Sequence, residues 1–329
     1  MEIQWPLVLF SLIAGTGGSL FAFVALSELL GGKEKTRFAA TVTSLVLIVA
    51  GGCLSMLHLA SPQNAFAALT NIFSFSGISI ELMLLGLTFV VALAYAIVVK
   101  RLRNALAAKA LAVVGGILGL ALGYFCGHGY VIEAQPTWMH ESLPLAYFGT
   151  ALACGAFAYD AIAARCGTAA DELSGRMPVA LVVCAGIATV TLISYVGFLG
   201  FPAAGNEVLL WGGIVACGML GTVAPALVRL LAPQVPALPA DVAGLLCAVA
   251  GGVSVRMLMW VCATGYLNLF AHTVPSVMLK LPAAGGRPCS MVARRLKGAR
   301  REDRRRHRAV RLSRRYVPAG RPVVLRTPE

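Results

Sequence analysis

Eight long apolar blocks, separated by short segments that contain charged residues or Pro and Gly, occupy residues 6–272 of the chain. Each block has about 20 residues or more, the length that a helix needs to cross about 30 Å of hydrocarbon. Helices that are apolar on all sides are typical of membrane spans. The pattern therefore predicts an all-α integral membrane protein with eight transmembrane helices in a bundle. The predicted spans are 6–30, 38–60, 78–99, 107–126, 143–164, 177–200, 207–231 and 242–272.

Lys and Arg are concentrated in alternate connections between these blocks. They occur after helices 1, 3, 5 and 7, whereas connections 61–77, 127–142 and 201–206 contain neither residue type. Because cytoplasmic loops carry the excess of Lys and Arg, the odd-numbered connections are predicted to be cytoplasmic. The N-terminus is then expected outside the cytoplasm.

Composition excludes a soluble globular enzyme, because 58% of the residues are hydrophobic and 12% are charged. Soluble domains have about 45–50% and about 25% of these residues. The net charge of +13 does not indicate nucleic-acid binding, since 15 of the 27 Lys and Arg lie after residue 280, with 3 of the 14 Asp and Glu. We therefore predict a membrane anchor domain, residues 1–280, and an Arg-rich tail, residues 281–329. The tail is either disordered, with a capacity to bind anionic lipid, or read out of frame.

None of the nine cysteines belongs to a Cys-x-x-Cys motif, and most of them lie in apolar blocks. Iron–sulfur clusters need closely grouped thiolates, so the chain is predicted to hold no cluster and no other metal. The cysteines are expected to be small core residues.

Two ionisable residues lie about one turn from the predicted outer ends of consecutive spans. His58 is close to the end of helix 2, and Glu81 is close to the beginning of helix 3. Ionisable groups at this depth are costly and usually face the bundle interior or a wet cavity. At similar depth on neighbouring helices, His58 and Glu81 are predicted to hydrogen-bond the hydroxyl of a ligand and to accept its proton.

Other charged residues carry weaker predictions. Arg256 is the one cation expected far from any span end, and it is predicted either to orient a polar head group or to neutralise charge inside the bundle. Asp160 and Arg165 are predicted to form a snorkelling pair without functional importance. The remaining outer residues of this kind are expected to be hydrated at the interface: His128, Glu133, His140 and Glu141.

The sequence Ser-Met-Leu-His-Leu-Ala-Ser-Pro at residues 55–62, followed by Ser76, Ser79 and Glu81, resembles the membrane anchor subunit family of dimethyl sulfoxide reductase. The resemblance extends to the Trp-Pro-Leu sequence at residues 5–7, to the eight spans and to the outer location of both termini. It covers the anchor domain and leaves the tail without a counterpart.

This resemblance implies a three-subunit complex in the bacterial cytoplasmic membrane. Its other members are a molybdopterin catalytic subunit and an iron–sulfur electron-transfer subunit, while the anchor is non-catalytic, lies in the lipid bilayer and holds no cofactor covalently. The anchor binds and oxidises menaquinol and passes the electrons to the iron–sulfur subunit. The family's quinol-site histidine and glutamate correspond to His58 and Glu81, and the predicted quinol-binding set also includes Ser61 and Arg256.

Three alternatives remain open at the level of sequence. An anchor that contains haem b would need axial histidines, and His58 and His272 could serve one outer haem. A transporter would be expected to show repeated halves and polar groups near the midplane, and neither pattern is evident. A purely structural anchor would leave His58 and Glu81 unexplained.

Overall fold

The computed structural model describes residues 3–57, 76–202 and 205–263. In this part of the chain the regular secondary structure is helical, and eight helices are long and apolar enough to cross a membrane. The predicted all-α, eight-span fold is therefore confirmed. The helices are α1 Trp5–Leu30, α2 Glu34–Leu57, α3 Gly77–Leu102, α4 Ala105–His128, α5 Ser142–Cys166, α6 Met177–Phe198, α7 Val208–Leu231 and α8 Ala237–Val261. The predicted tail and His272 lie outside the described residues.

The predicted boundaries of α8 are wrong at both ends. The helix begins at Ala237 rather than at residue 242, because Asp241, which resembles a boundary residue in the sequence, is buried and paired inside the bundle. It ends at Val261 rather than at residue 272, since Cys262 and Ala263 are not helical. Arg256 consequently lies in the last two turns of α8, closer to a helix end than predicted.

Two helices form the centre of the bundle. Helix α1 packs against α2, α4 and α5, and every residue from Ala14 to Ala25 is buried. Helix α5 packs against α1, α6 and α8. The other helices surround this pair, so the ends of α3, α4 and α8 converge near the outer parts of α1 and α5.

Glycines permit the closest helix crossings. A side chain on Gly18 of α1 would overlap the backbone of Gly119 of α4, and the reverse also holds. Gly218 of α7 and Gly251 of α8 make an equivalent contact. Small residues at such crossings let helices in a membrane approach until their backbones touch.

Charge separates the two ends of the bundle. Ten of the eleven Lys and Arg in the described residues lie at the end formed by the C-termini of α1, α3, α5 and α7, here called the basic end. The opposite end, here called the acidic end, contains Arg256 and four glutamates: Glu81, Glu133, Glu141 and Glu207. By the positive-inside rule, the basic end is the one expected to face the cytoplasm.

A buried charge network near the basic end corrects the prediction for Asp160. Arg229 of α7 approaches Asp160 of α5 at 2.8 Å and Asp241 of α8 at 3.0 Å, and both carboxylates are fully buried. The predicted pairing with Arg165 is wrong, because a residue five positions along a helix lies about 140° around its axis. Arg256 is therefore not the only charge inside the bundle.

Candidate functional site

Arg256 is fully buried and reaches two neighbouring helices. Its Nε donates a hydrogen bond to Ser11 Oγ of α1 at 2.9 Å. Its Nη1 donates to Thr150 Oγ1 of α5 at 3.2 Å and to Gly252 O at 2.9 Å. The guanidinium carbon lies 4.0 Å from the centre of the Tyr147 ring, within the range of cation–π attraction. Its partners among the described residues are thus two hydroxyls, a backbone carbonyl and an aromatic ring rather than a carboxylate.

Four aromatic side chains cover the end of α8 next to Arg256, and we call Tyr130, Trp138, Tyr147 and Trp260 the aromatic cluster. The ring centres of Trp138 and Trp260 are 5.1 Å apart, and Tyr130 lies 5.9 Å from Tyr147. Trp138 Nε1 donates to Met259 O at 3.0 Å. The last carbonyls of a helix have no partner within the helix, so this bond helps to complete the end of α8.

Glu81 lies one turn inside α3, as predicted. Ser76 caps the helix by accepting a hydrogen bond from Ser79 N at 3.3 Å. The Glu81 carboxylate touches Gly129, the residue that follows α4, and a methyl group there would overlap Oε1. A Cβ built on Gly77 would lie 3.2 Å from Gly129 Cα, so the two helix ends approach each other closely. No hydrogen-bond donor in the described residues satisfies the carboxylate.

Cys126, Tyr130 and Tyr147 lie between Glu81 and Arg256. Each of the three interacts electrostatically with both the carboxylate and the guanidinium. In the connection between α4 and α5, burial raises the pKa of the Tyr130 phenol well above its usual value, and Tyr147 and Glu81 raise it further. The phenol is therefore a neutral hydrogen-bonding group at physiological pH. The structure brings Glu81 and Arg256, two of the four predicted site residues, to one region.

An apolar groove of about 400 Å³ separates α2 from α3, and we call it the α2–α3 groove. It is lined by Ile48, Val49 and Gly52 of α2 and by residues between Leu82 and Phe89 of α3. Gly86 leaves it open, because no heavy atom lies within 4 Å of its Cβ position. Leu82 follows Glu81 directly in the chain, so the groove begins at the same level of α3 as Glu81, which is not itself part of the lining, and continues towards the centre of the span.

The other predicted site residues, His58 and Ser61, lie outside the described residues, as does His272. Within the described ranges, no group of three or more His, Cys, Asp and Glu side chains is placed to hold a metal ion. The prediction that the cysteines are core residues is confirmed for Cys126, Cys154 and Cys184, which are buried. Cys53 is exposed instead.

His128 and His140 at the acidic end each lie beside polar or aromatic side chains of the protein. Tyr124 donates a hydrogen bond to Glu141 Oε2 at 2.6 Å, and His128 Nδ1 lies 3.9 Å from the same oxygen. His140 Nδ1 accepts a hydrogen bond from Ser142 N at 3.1 Å, at the start of α5. Its ring stacks on Phe198 with a centre-to-centre distance of 4.3 Å. His140 therefore stabilises a helix start, which the sequence did not indicate.

Sequence reasoning missed the polar and aromatic partners of Arg256. Ser11 and Thr150 are hydroxyl residues within apolar helices, where their usual role is to bond a carbonyl of the preceding turn. Both also make that bond here, to Val8 O and Ala146 O. Their second role depends on α8 lying across α1 and α5, which the sequence does not show.

The arrangement combines a carboxylate that has no donor among the described residues, neutral phenols, a buried cation and an apolar groove open on the side of the helices. Ionisable groups placed in this way inside a membrane protein usually serve a ligand or proton path. A ligand with a polar, hydroxyl-bearing head and a long apolar chain matches both parts of the site.

Comparison with known protein families assigns this architecture. The family model described as DMSO reductase anchor subunit (DmsC) matches residues 1–198, which span α1 to α6 and include Glu81. No individual curated protein matches the chain. Because the match covers more than half of the 329 residues, and the eight-span fold agrees with it, the chain belongs to the DMSO reductase anchor subunit family.

Proposed function

We propose that this protein, a membrane anchor of a DMSO reductase complex, binds and oxidises menaquinol at the acidic end of α2, α3 and α4. The electrons pass to an iron–sulfur subunit and then to a molybdopterin catalytic subunit. Family membership supports association with catalytic and electron-transfer subunits. The complex would lie in the bacterial cytoplasmic membrane, with the acidic end on the outer side.

The Glu81 carboxylate carries this proposal. It lies against Gly129 without a donor in the described residues, and the α2–α3 groove begins at the next residue of α3. A buried acceptor without a donor is expensive unless a ligand or water supplies one. A quinol hydroxyl can supply it, while the isoprenoid chain of the same molecule occupies an apolar groove.

Quinol oxidation releases two protons and two electrons as the two hydroxyl groups become carbonyls. Glu81 is the proposed acceptor of one proton, and His58 is the proposed acceptor of the other. Both protons would leave at the acidic end, since the described carboxylates of that end are the ones nearest to the proposed quinol site. Tyr147 interacts electrostatically with both Glu81 and Arg256, so a polar head group bound at Glu81 would also lie close to this phenol.

The electron-transfer partner is expected to dock at the acidic end, because the proposed quinol site lies there. The proposal assigns no redox centre to the anchor, so the electrons leave it directly for the partner's nearest cluster. A short transfer distance requires this cluster to be close to the quinol head.

The proposal is tested by binding of a fluorescent quinol analogue to membranes that contain the complete complex. Glu81→Gln replaces the carboxyl group with an amide of nearly the same shape, and Gly86→Leu adds bulk to the α2–α3 groove at a position where no heavy atom lies within 4 Å of the Cβ. Glu133→Gln is the control for charge, because Glu133 is exposed at the same end. Gly186→Leu is the control for added bulk, because it also has no atom within 4 Å of its Cβ position.

Saturable quenching of the analogue in the wild type and in both controls, with weaker binding in Glu81→Gln and Gly86→Leu, would support the site. Equal binding in all five proteins would place the site elsewhere. Absence of binding in the wild-type complex would favour a purely structural anchor.

A further inference from the structure

A second apolar groove lies at the other end of the bundle, between α1, α4 and α6, and we call it the α1–α4–α6 groove. It has a volume of about 460 Å³. Residues 22–30 of α1, 113–120 of α4 and 179–184 of α6 form its walls, and Leu152 of α5 lies at its base. Leu29, Ile117 and Val183 at its edges are about half exposed or more, so the groove opens on the lipid-facing side of the bundle.

Two unpaired cations stand at the basic end of this groove. Arg176 belongs to the lining and precedes α6 directly. Lys109 lies one turn before Val113 on the groove-facing side of α4, about 6 Å nearer the basic end. Both side chains are exposed, and neither forms an ion pair or a side-chain hydrogen bond within the described part of the chain.

Three other cations at the same end form ion pairs. Lys33 pairs with Asp171 at 3.3 Å, Arg37 pairs with Glu28 at 2.8 Å, and Lys100 pairs with Glu34 at 3.0 Å. The buried acid closest in sequence to Arg176 is also satisfied, because Glu172 accepts hydrogen bonds from Ser27 and Tyr159. Lys109 and Arg176, by contrast, have no acidic partner among the described residues.

The first turn of α6 adds to this positive potential. Its N-terminus has no side-chain cap, so the N–H groups of the first turn next to Arg176, apart from the position of Pro178, are not bonded by a capping side chain. Helix N-termini favour anions through these groups and through the helix dipole. An anionic group placed between Lys109 and Arg176 would meet this end of α6.

The dimensions of the groove favour a single hydrocarbon chain. A helix with its side chains is about 10–12 Å wide, so three turns would need well over about 1,000 Å³. The groove is less than half as large, although it falls in the range of about 300–1,000 Å³ that is typical of small-molecule sites. A quinol chain would fit equally well, but its head has no negative charge to match the two cations.

We propose that the α1–α4–α6 groove binds one anionic phospholipid, with an acyl chain between α4 and α6 and the phosphate group between Lys109 and Arg176. The site is distinct from the proposed quinol site, which lies at the opposite end of the bundle. The site would hold a lipid of the leaflet at the basic end against α6. This proposal does not depend on the proposed quinol function.

The test uses the complete complex in nanodiscs of equal parts phosphatidylglycerol and phosphatidylcholine, followed by native mass spectrometry to count the lipids that each copy retains. The wild type should retain one phosphatidylglycerol. Lys109→Gln with Arg176→Gln should weaken retention about 30-fold, because each cation near a membrane surface favours anionic lipid about fivefold. Arg101→Gln with Arg103→Gln is the matched control, since it removes two exposed cations from the same end.

Val183→Trp provides a second variant that leaves both cations in place. The indole would fill the groove, so loss of phosphatidylglycerol from this variant would locate the acyl chain there. Equal retention by the wild type and both cation variants would overturn the proposal, as would equal retention of phosphatidylcholine.

A cross-link from Val183→Cys to another polypeptide of the complex would also overturn it, because a protein segment would then occupy the groove. Thermal unfolding of each variant verifies that it is folded.

Discussion

The position of Glu81 leads to a sharp prediction for Gly129→Ala, a change that leaves the carboxylate itself intact. The added methyl would overlap Glu81 Oε1, which is the far end of a flexible side chain. The carboxylate should therefore rotate away while the backbone stays in place. Gly129 has φ −58° and ψ −19°, which alanine adopts readily, so the substitution causes no backbone strain.

The expected magnitude follows from the hydrogen bond that would be lost. A hydrogen bond contributes about 0.5–1.5 kcal/mol net, so the dissociation constant of a quinol analogue should rise about 2- to 12-fold. The free energy of unfolding should change little, and a small increase is expected because alanine restricts the unfolded chain. Binding and stability should thus respond differently to the same methyl group.

Gly123→Ala is the matched control in α4. A Cβ at this position would make ordinary contacts, the nearest being 3.7 Å from Ser19 Oγ. Fluorescence titration of the complex with the analogue, together with thermal unfolding, would compare the two variants. Unchanged affinity in Gly129→Ala would refute the placement of the quinol hydroxyl on Glu81, provided that the variant retains its thermal stability.

The remaining predictions concern the packing of the bundle. Arg229→Met should lower the free energy of unfolding by about 3–5 kcal/mol, since it leaves two buried carboxylates without their cation. Adding Asp160→Asn and Asp241→Asn to the Arg229→Met protein should recover part of this loss. Thermal unfolding measures both effects. Gly119→Leu should prevent the close crossing of α4 and α1, so that little folded protein is recovered by size-exclusion chromatography. Trp138→Phe removes one hydrogen bond at the end of α8 and should cost about 1 kcal/mol in thermal unfolding, and an unchanged melting temperature would contradict the importance of that bond.

The predicted start of α8 and the predicted partner of Asp160 are wrong for a common reason. A carboxylate in the sequence of a membrane protein suggests a span boundary, because an isolated charge is costly in hydrocarbon. Asp241 and Asp160 are instead inside helices, because Arg229 from a third helix neutralises them. Only the arrangement of α5, α7 and α8 makes that cation available.

The sequence by itself determined the eight spans, the charge difference between the two ends and the depth of Glu81 in α3. These properties are local, since about 20 successive apolar residues or one N-cap serine suffice to produce them. Only the tertiary structure decided the partners of Arg256, the position of Gly129 against Glu81 and the two apolar grooves. Helices that are apolar on all sides contain no periodic pattern to show which face meets which neighbour. Those contacts therefore depend on close packing of small residues such as Gly18 and Gly119 across the bundle.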